Sequence, residues 1–369
     1  MSNLVLYRKY RPRRFAEIVG QEHIVQTLTN AIVGDMVAHA YMFAGPHGTG
    51  KTTLGRLLAK AVNCQQRKQG EFEPCNQCDS CLEINQGRAI DLIEIDAASN
   101  RGIDEIRSLK EGIGFFPVKS KYKVFIIDES HQLTADAANA LLKTLEEPPP
   151  YAIFVLATTE AHKMMPTIVS RCQRFDFRRL RVPEIIGRLQ TILKKEKINF
   201  EPDALNIIAL ASEGSIRDAE TLLDTVGSFS GKQNTIKKEL VETLLGLTDK
   251  STIFKFLNYI NQKKAKEAVE LLNQIIFKGV DLGEFTKSLI FWLREILLLK
   301  IDPESANPLL LGLAEQEKRE LQGLADRFSG RELQEMLQNF MEAGNKMRYA
   351  SIPQLPLELA IVEICREEQ

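Results

Sequence analysis

Apolar and polar positions divide the chain into parts of different character. Between residues 37 and 177, short and almost uninterrupted apolar runs alternate with stretches of helical character, the runs being AYMFAG, DLIEID, KVFIID, AIFVLATT and RFDF. Strands that are apolar on both faces are typical of parallel sheets covered by helices on each side. The pattern predicts an α/β domain of nucleotide-binding architecture over residues 1–180.

The strand pattern is predicted to stop after Pro183. Helical periodicity follows over residues 184–195 and 203–212, and then in the segment GSIRDAETLLDTV, where Ser215 is a candidate N-cap. A small helical domain is therefore expected over residues 181–247.

From residue 248 to residue 369 the pattern is helical throughout, which predicts an all-helical third domain. One apolar stripe recurs at helical spacing and belongs either to the core of this domain or to a face that packs against another subunit. The stripe consists of Phe285, Leu289, Trp292, Leu293, Ile296 and Leu297.

Composition adds few constraints. Of the 369 residues, 26% are charged, but the formal net charge is −1, so contact with nucleic acid would depend on local patches. The N-terminal segment places its apolar run before its basic residues, the reverse of a secretory signal, and the run YAIFVLATT is far too short for a membrane span. These features predict a cytoplasmic protein of two or three domains.

A phosphate-binding loop is predicted at residues 45–52, GPHGTGKT, between the strand AYMFA and the helical segment TLGRLLAKAV. The GxxxxGK[ST] motif requires this order of strand, loop and helix. Backbone N–H groups would bind phosphate, Lys51 would reach the outer phosphates, and Thr52 would offer its hydroxyl to Mg²⁺. The candidate nucleotide-binding residues of the loop are Gly45, Pro46, His47, Gly48, Thr49, Gly50, Lys51, Thr52 and Thr53.

Two adjacent carboxylates, Asp128 and Glu129, follow the wholly apolar strand KVFII. In this position Asp128 would hold magnesium through its water shell, and Glu129 would polarise an attacking water. Asp96 ends the strand DLIEID without a second carboxylate beside it and is interpreted as structural. The carboxylates therefore indicate nucleotide hydrolysis.

Thr158 and Thr159 end the strand AIFVLATT. A hydroxyl at the tip of the strand beside Asp128 could hold the nucleophilic water or the γ-phosphate, and Thr158 is preferred over Thr159 for this role. The alternative is a pair of β-forming residues that simply end a strand.

Four cysteines lie close together in the sequence: Cys64, Cys75, Cys78 and Cys81. Such clustering favours a metal over disulfides, because short CxxC steps let one tight turn supply two ligands of a tetrahedral ion. Structural zinc is expected, within an insertion at about residues 62–85 that follows the phosphate-loop helix. An iron–sulfur cluster remains the alternative.

The motifs GPHGTGKT, the four-cysteine insertion, VFIIDE, LLKTLEEPPP, LATT, SRC and GSIRDA occur in this order. In that combination the chain resembles the gamma and tau subunits of the bacterial replicative clamp loader, which are AAA+ ATPases. The resemblance is close over about the first 245 residues, and YRKYRPRRFAEIVGQEH and LIEIDAASNRGIDEIR share it. It implies a phosphate-loop sheet domain, a helical lid and a helical C-terminal collar.

The resemblance implies roles for two arginines. The arginine of SRC, here Arg171, would reach the γ-phosphate held by a neighbouring subunit, as an arginine finger supplied in trans. Arg217 of GSIRDA would contact the γ-phosphate from the lid of the same chain. The structural alternatives are a salt bridge between Arg171 and a residue such as Asp176, and an Arg217 that is merely solvated.

The segment around Val19 and Gly20, with the basic residues before it, resembles the part of the family that lies over the adenine. Read without the family, its basic residues and tyrosines suggest an arm that binds nucleic acid. In the segment AASNRGIDEIR, the resemblance makes Arg101 and Arg107 candidates for contact with DNA phosphates.

By resemblance, the chain is expected to be an ATPase subunit of the DNA polymerase III clamp loader in the bacterial cytoplasm, associated with the nucleoid. It would bind ATP, Mg²⁺ and Zn²⁺, open a sliding clamp and load it onto primer-template DNA. The implied partners are the delta and delta prime subunits, further copies of the chain and, in a longer form, the polymerase core.

Two other functions compete with this expectation. A scaffold subunit that only oligomerises is disfavoured by the intact Lys51, Thr52, Asp128 and Glu129. A DNA motor of the branch-migration or helicase-loader type is disfavoured by the cysteine insertion and by SRC.

Overall fold

The computed structural model of the protein describes residues 4–99, 112–229, 235–245, 250–277, 279–302 and 315–366. The chain forms two units, Met1–Lys238 and Glu239–Gln369. The first unit combines a sheet with helices, and the second is helical in its described residues.

The strands of the main sheet are β1 (Ala40–Ala44), β2 (Leu92–Asp96), β3 (Lys123–Asp128), β4 (Ala152–Thr158) and β5 (Gln173–Asp176). They are parallel and lie in the order β2-β3-β4-β1-β5. The three central strands are buried along almost their whole length, as their continuous apolar sequences require. The five strands coincide with the five predicted runs, so the predicted parallel sheet is confirmed.

The helices of the first unit that the structure describes are α1 (Leu6–Lys9), α2 (Glu22–Val33), α3 (Lys51–Val62), α4 (Asp79–Gln86), α5 (Ala135–Glu146), α6 (Pro166–Val169), α7 (Val182–Glu196), α8 (Pro202–Ala211) and α9 (Ile216–Phe229). Helices α2 and α3 pack on one face of the sheet and α5 and α6 on the other. Successive residues of β1 serve the two faces: Tyr41 and Phe43 join the first core and Met42 the second.

Helices α7 to α9 confirm the three helical segments predicted after the sheet. The Ser215 hydroxyl accepts a hydrogen bond from the Asp218 backbone N–H at 3.2 Å at the start of α9, as expected of an N-cap. The prediction that strands stop after Pro183 is wrong, because β6 (Asn199–Phe200) pairs in parallel with β7 (Thr235–Ile236). Two residues per strand are too few to leave a period-two pattern in the sequence.

The second unit contains helices throughout its described residues. They are α10 (Lys238–Leu244), which begins at the last residue of the first unit, α11 (Lys250–Asn261), α12 (Ala265–Phe277), α13 (Leu282–Ile301), α14 (Glu315–Arg327), α15 (Gly330–Met347) and α16 (Leu355–Cys365). The predicted stripe lies on α13. Its side chains pack within the core of this unit, so the interpretation as core is confirmed.

Across the described ranges, no helix is long and apolar enough to cross a lipid bilayer.

Candidate nucleotide site and cysteine cluster

The phosphate loop leaves β1 and turns into α3 at Lys51. Two of its glycines are required by close contacts as well as by their positive φ angles. A Cβ on Gly45 would lie 2.4 Å from the Phe177 carbonyl oxygen, and one on Gly48 would lie 1.8 Å from the Ser215 hydroxyl. The loop therefore packs directly against the residue that follows β5 and against the start of α9.

The Lys51 side chain is almost fully buried under the loop. Its ammonium donates hydrogen bonds to the carbonyl oxygens of Gly45 and Pro46, both at 2.7 Å. Burial lowers the pKa of Lys51, while the carboxylates of Glu129 and Asp128 oppose that shift. A phosphate group at the loop would offer the ammonium a charged partner in place of these two carbonyls.

The predicted magnesium ligands contact each other. The Thr52 hydroxyl donates to Asp128 Oδ2 at 2.7 Å, which joins the start of α3 to the end of β3. Glu129 follows in a left-handed conformation, with φ at 48°, which turns its side chain out of the direction of the strand. Asp128 and Glu129 both line the same pocket as the phosphate loop.

The two threonines at the end of β4 have different partners. Thr158 is fully buried, and its hydroxyl oxygen lies 3.1 Å from His131 Nδ1. The Thr159 hydroxyl donates to Glu129 Oε2 at 2.8 Å. Although the sequence led us to prefer Thr158, it is the Thr159 hydroxyl that contacts the Glu129 carboxylate.

His131 also contacts this carboxylate, a feature that sequence reasoning missed. Its Nδ1 lies 3.4 Å from Glu129 Oε2, and its Nε2 lies 3.1 Å from Glu160 Oε2. The only signal in the sequence was its position two residues after Glu129, on the turn that follows β3.

The N-terminal segment forms another wall of the pocket. The lining residues that it contributes are Tyr7, Arg8, Arg11, Pro12, Glu17, Ile18 and Val19. Val19 thus lines the same pocket as the phosphate loop, and its contact with the adenine stays a prediction. Gly20 does not line the pocket; its N–H donates to Glu22 Oε1 at 3.1 Å. The segment therefore lines the pocket of the phosphate loop, which favours the interpretation as part of a nucleotide site over that as an arm for nucleic acid.

The helical lid supplies Arg217 to the pocket, on the first turn of α9. Its guanidinium lies over the Tyr7 ring, 5.0 Å from the ring centroid. The prediction placed Arg217 at the nucleotide, and the structure places it in the pocket wall beside Tyr7 of α1.

A buried ion pair of the lid was also missed from the sequence. Arg188 Nε donates to Glu220 Oε1 at 2.9 Å, and the same guanidinium contacts the Tyr10 carbonyl oxygen. Burial raises the pKa of Glu220, while Arg188 opposes that shift. Arg188 stands in no motif, Glu220 directly follows GSIRDA, and their pairing depends on the packing of α7 against α9.

Arg171 lies apart from this pocket. Its guanidinium binds Glu146 Oε1 at 2.6 Å and the Thr167 carbonyl oxygen at 2.7 Å, and its side chain is 33% exposed. The structure thus shows the salt bridge that the alternative described, but with Glu146 in place of Asp176, which binds Arg174 at 2.7 Å. Residues two apart on β5 point to the same side, which brings Arg174 to Asp176.

Two other sequence predictions concern the segment after β2. Asp96 binds the Ala98 N–H at 2.9 Å and the Ser99 hydroxyl at 2.8 Å, and it is absent from the pocket wall among the described residues. Arg101 and Arg107 lie outside the described residues.

The four clustered cysteines converge between α3 and α4. Their sulfur atoms all lie within 4.8 Å of one another, and the sulfurs of Cys75 and Cys81 are 3.9 Å apart. Ligand sulfurs around a tetrahedral zinc ion, with bonds of about 2.3 Å, are separated by about 3.8 Å. The donor set and its spacing therefore fit a tetrahedral metal ion.

Backbone N–H groups point at one of these sulfurs. Burial opposes ionisation of Cys75, but the N–H groups of Gln77 and Cys78 lower its pKa to about 6. Burial raises the pKa of Cys81. N–H groups directed at a thiolate are the expected surroundings of a metal-bound sulfur.

A phosphate loop after β1, adjacent carboxylates at the end of β3 and an arginine from a helical lid meet in one pocket, which defines a P-loop protein of the AAA+ class. The predicted fold class, with the cysteine insertion, the lid and the helical C-terminal part, is thereby confirmed.

Comparison with known families narrows this class. The family described as DNA polymerase III, delta subunit, matches residues 20–181. The DNA polymerase III clamp loader subunit ATPase lid domain matches residues 184–230, and domain III of DNA polymerase III subunits gamma and tau matches residues 236–369.

Individual relatives agree. The chain is 43% identical over 366 residues to DNA polymerase III subunit tau of Bacillus subtilis, covering 99% of this chain and 64% of that protein. It is 40% identical over 304 residues to subunit tau of Escherichia coli, covering 82% and 46%. It is 36% identical to subunit gamma of Buchnera aphidicola from Acyrthosiphon pisum, covering 99% of both chains.

The chain therefore belongs to the gamma/tau subunit family of DNA polymerase III, and the predicted resemblance is confirmed. It spans 64% and 46% of the length of the two tau relatives. Among solved structures, it is similar to a Thermotoga maritima RuvB Holliday junction branch migration motor, at 19% identity and a TM-score of 0.47, covering 68% of this chain and 78% of that one.

Proposed function

We propose that the chain is an ATPase subunit of the replicative clamp loader, which uses ATP binding and hydrolysis to open a sliding clamp and load it onto primer-template DNA. The observation that carries this proposal is the meeting of Lys51, Thr52, Asp128 and Glu129 in one pocket with Arg217 of the lid. Membership of the gamma/tau family supports the sliding clamp and the DNA as the proposed partners.

Within the pocket, each side chain has a distinct task. Lys51 exchanges its two carbonyl partners for the outer phosphates, and Arg217 binds the γ-phosphate from the lid. Thr52 and Asp128 hold Mg²⁺, which neutralises charge on the phosphates when it is bound. Glu129 accepts a proton from the attacking water, and Thr159 fixes the orientation of its carboxylate through the 2.8 Å hydrogen bond.

The last positive charge comes from a neighbouring subunit. Arg171 lies outside the pocket wall of its own chain and is partly exposed, which suits a residue that serves another protomer. Entering a neighbouring site requires it to leave Glu146, whose exposed ion pair is worth less than about 1 kcal/mol.

The parts of the chain follow this division of tasks. Residues 1–180 bind nucleotide, residues 181–247 form the lid, and residues 248–369 assemble the subunit with delta, delta prime and further copies. In a longer form of the protein, the chain would also connect to the DNA polymerase core. The complex works in the bacterial cytoplasm, at the nucleoid.

The cysteine cluster holds one structural zinc ion through Cys64, Cys75, Cys78 and Cys81. All four positions of a tetrahedral ion are then taken by thiolates, which leaves no position for a substrate. The zinc therefore stabilises the insertion and takes no part in hydrolysis.

The test is the ATPase rate of the assembled complex with and without the sliding clamp and primed DNA. A loader hydrolyses ATP faster when both are present, and the Lys51→Ala variant, which loses the phosphate contact, shows no such increase. Stimulation by DNA junctions or long duplex without the clamp would instead identify a DNA motor. An unstimulated complex without ATPase activity would identify a scaffold.

A further inference from the structure

Lys60, in the last turn of α3, is a buried lysine that the ATPase site does not use. Only 2% of its surface is exposed. Its ammonium donates three hydrogen bonds: to the Arg13 carbonyl oxygen at 2.8 Å, to Asn76 Oδ1 at 2.7 Å and to Asn85 Oδ1 at 2.9 Å. An ammonium has three donors, so every one of them is satisfied.

The three acceptors come from separate parts of the chain. Arg13 belongs to the N-terminal segment, Asn76 lies between Cys75 and Cys78, and Asn85 lies on α4, which also carries Cys81. We use the term cysteine module for residues 62–85. Lys60 therefore joins the phosphate-loop helix, the cysteine module and the N-terminal segment at one charged group, which would be costly to bury without these partners.

A second contact joins the cysteine module to the same segment. Both carboxylate oxygens of Glu73 accept backbone N–H groups, from Phe15 at 3.0 Å and from Ala16 at 2.9 Å. The Phe72 ring packs edge-on against the Phe15 ring, with centroids 6.3 Å apart. Phe15 itself is buried in the sheet core, so the module and the core hold this residue between them.

The segment held in this way is the middle of the N-terminal wall of the nucleotide pocket. Residues 13–16 bind the cysteine module, while Arg11 and Pro12 before them, and residues 17–19 after them, line the pocket. The held stretch is also linked to the flank that follows it, because the Arg13 N–H donates to Glu17 Oε2 at 2.7 Å.

We propose that the cysteine module positions the N-terminal wall of the nucleotide pocket through Lys60 and Glu73, so that the metal-bound module sets the affinity for the nucleoside part of the ligand. This inference rests on the proposed function of the pocket. Lys60 and Glu73 are positioning residues, since they act through residues 13–16. The phosphate loop is held by contacts of its own and should bind phosphates without this help.

Two ligands report separately on the two ends of the pocket. The β,γ-imido analogue of ATP uses both the phosphate loop and the N-terminal wall, and inorganic tripolyphosphate uses the loop alone. Affinities for both would be measured by calorimetry on the full chain, together with zinc content and the free energy of unfolding. The variants are Glu73→Ala and Lys60→Met, and Glu71→Ala is the matched control, because Glu71 is exposed in the same module.

We expect Glu73→Ala and Lys60→Met to lower the affinity for the ATP analogue about tenfold, which is the effect expected from the loss of one hydrogen bond to a charged group. Tripolyphosphate affinity and zinc content should match the wild type, and Glu71→Ala should bind both ligands normally. A purely stabilising role would lower the free energy of unfolding without this selective loss. Should Lys60→Met fail to fold, Glu73→Ala decides the matter, since Glu73 is only partly buried.

Unchanged affinity of Glu73→Ala for the ATP analogue would overturn the proposal, as would an equal loss for both ligands. The Lys51→Ala variant distinguishes a failure of this proposal from an incorrect assignment of the pocket as the nucleotide site. If Lys51→Ala loses both ligands while Glu73→Ala binds like the wild type, only the positioning role fails. If Lys51→Ala binds both ligands normally, the proposed function fails and this inference fails with it.

Discussion

The nucleotide pocket and the cysteine cluster, both built around α3, use their polar groups in opposite ways. In the pocket, the binding groups contact one another: Lys51 binds carbonyls of its own loop and Thr52 binds Asp128. In the cysteine cluster, four sulfurs already converge, and backbone N–H groups point at Cys75.

Under the proposed function, this difference would separate a site for turnover from a site for permanent binding. A ligand of the pocket must displace internal hydrogen bonds. The net free energy of binding is therefore only the difference between the new hydrogen bonds and the old ones, which would let the pocket release a product. The cysteine cluster needs little rearrangement around a metal, which favours tight retention.

The largest expected effect tests whether turnover depends on a group outside the pocket. Arg171→Ala should lower the ATPase rate of the assembled complex by about 10³- to 10⁵-fold, the usual contribution of an arginine finger. Nucleotide affinity should stay unchanged, because Arg171 does not line its own pocket. Arg174→Ala, which removes the exposed pair with Asp176, is the control. A normal rate for Arg171→Ala would place the finger elsewhere.

The next effect concerns the pocket itself. Glu129→Gln keeps the shape of the side chain but removes the base, and we expect ATP hydrolysis to fall by about 10²- to 10⁴-fold. Binding of ATP should persist, because Lys51 and Thr52 are intact. Single-turnover kinetics would measure the chemical step, and a rate near that of the wild type would rule out Glu129 as the base.

A smaller effect examines the cysteine cluster. Cys78→Ser removes one thiolate, and we expect loss of the approximately one zinc ion per chain and a decrease of at least about 3 kcal/mol in the free energy of unfolding. Metal analysis and denaturant unfolding would measure both. Cys172→Ser, outside the cluster, should retain zinc. Full stability of a metal-free Cys78→Ser protein would contradict a structural metal.

The smallest effect compares the two threonines of β4. Thr159→Val removes the hydroxyl that binds Glu129 and should lower kcat about tenfold, as expected for one hydrogen bond to a charged group. Thr158→Val leaves that bond in place and should lower kcat less. The reverse order would return the sensing role to Thr158, as the sequence suggested.

Features formed by residues that are neighbours in the sequence could be predicted from it. The phosphate loop, the carboxylates after β3 and the four cysteines each combine a local motif with the apolar strand or helix beside it. The three central strands followed from their continuous apolar runs, because burial on both faces leaves few polar positions. The edge strands β2 and β5 carry polar, exposed residues and followed from their shorter apolar runs.

Features that depend on packing between distant residues could not be predicted. Lys60 looks like an ordinary helix lysine, and only the folded structure brings it to Arg13, 47 residues away in the sequence. The pair of Arg188 and Glu220 and the short strands β6 and β7 arise in the same way. The hydrogen bond from Thr159 to Glu129 could not be predicted either, because the backbone turn at Glu129 has no signature in the sequence.

The approach of Ser215 to Gly48 has a consequence for how far the lid can close. Because a single added carbon atom would overlap the serine hydroxyl, the start of α9 already touches the bare backbone of the phosphate loop. Any larger residue at Gly48 would push the start of α9 away from the loop and would keep Arg217 farther from the phosphates. The absence of a side chain at Gly48 thus leaves the space that the sheet domain and the lid need to approach each other over one nucleotide.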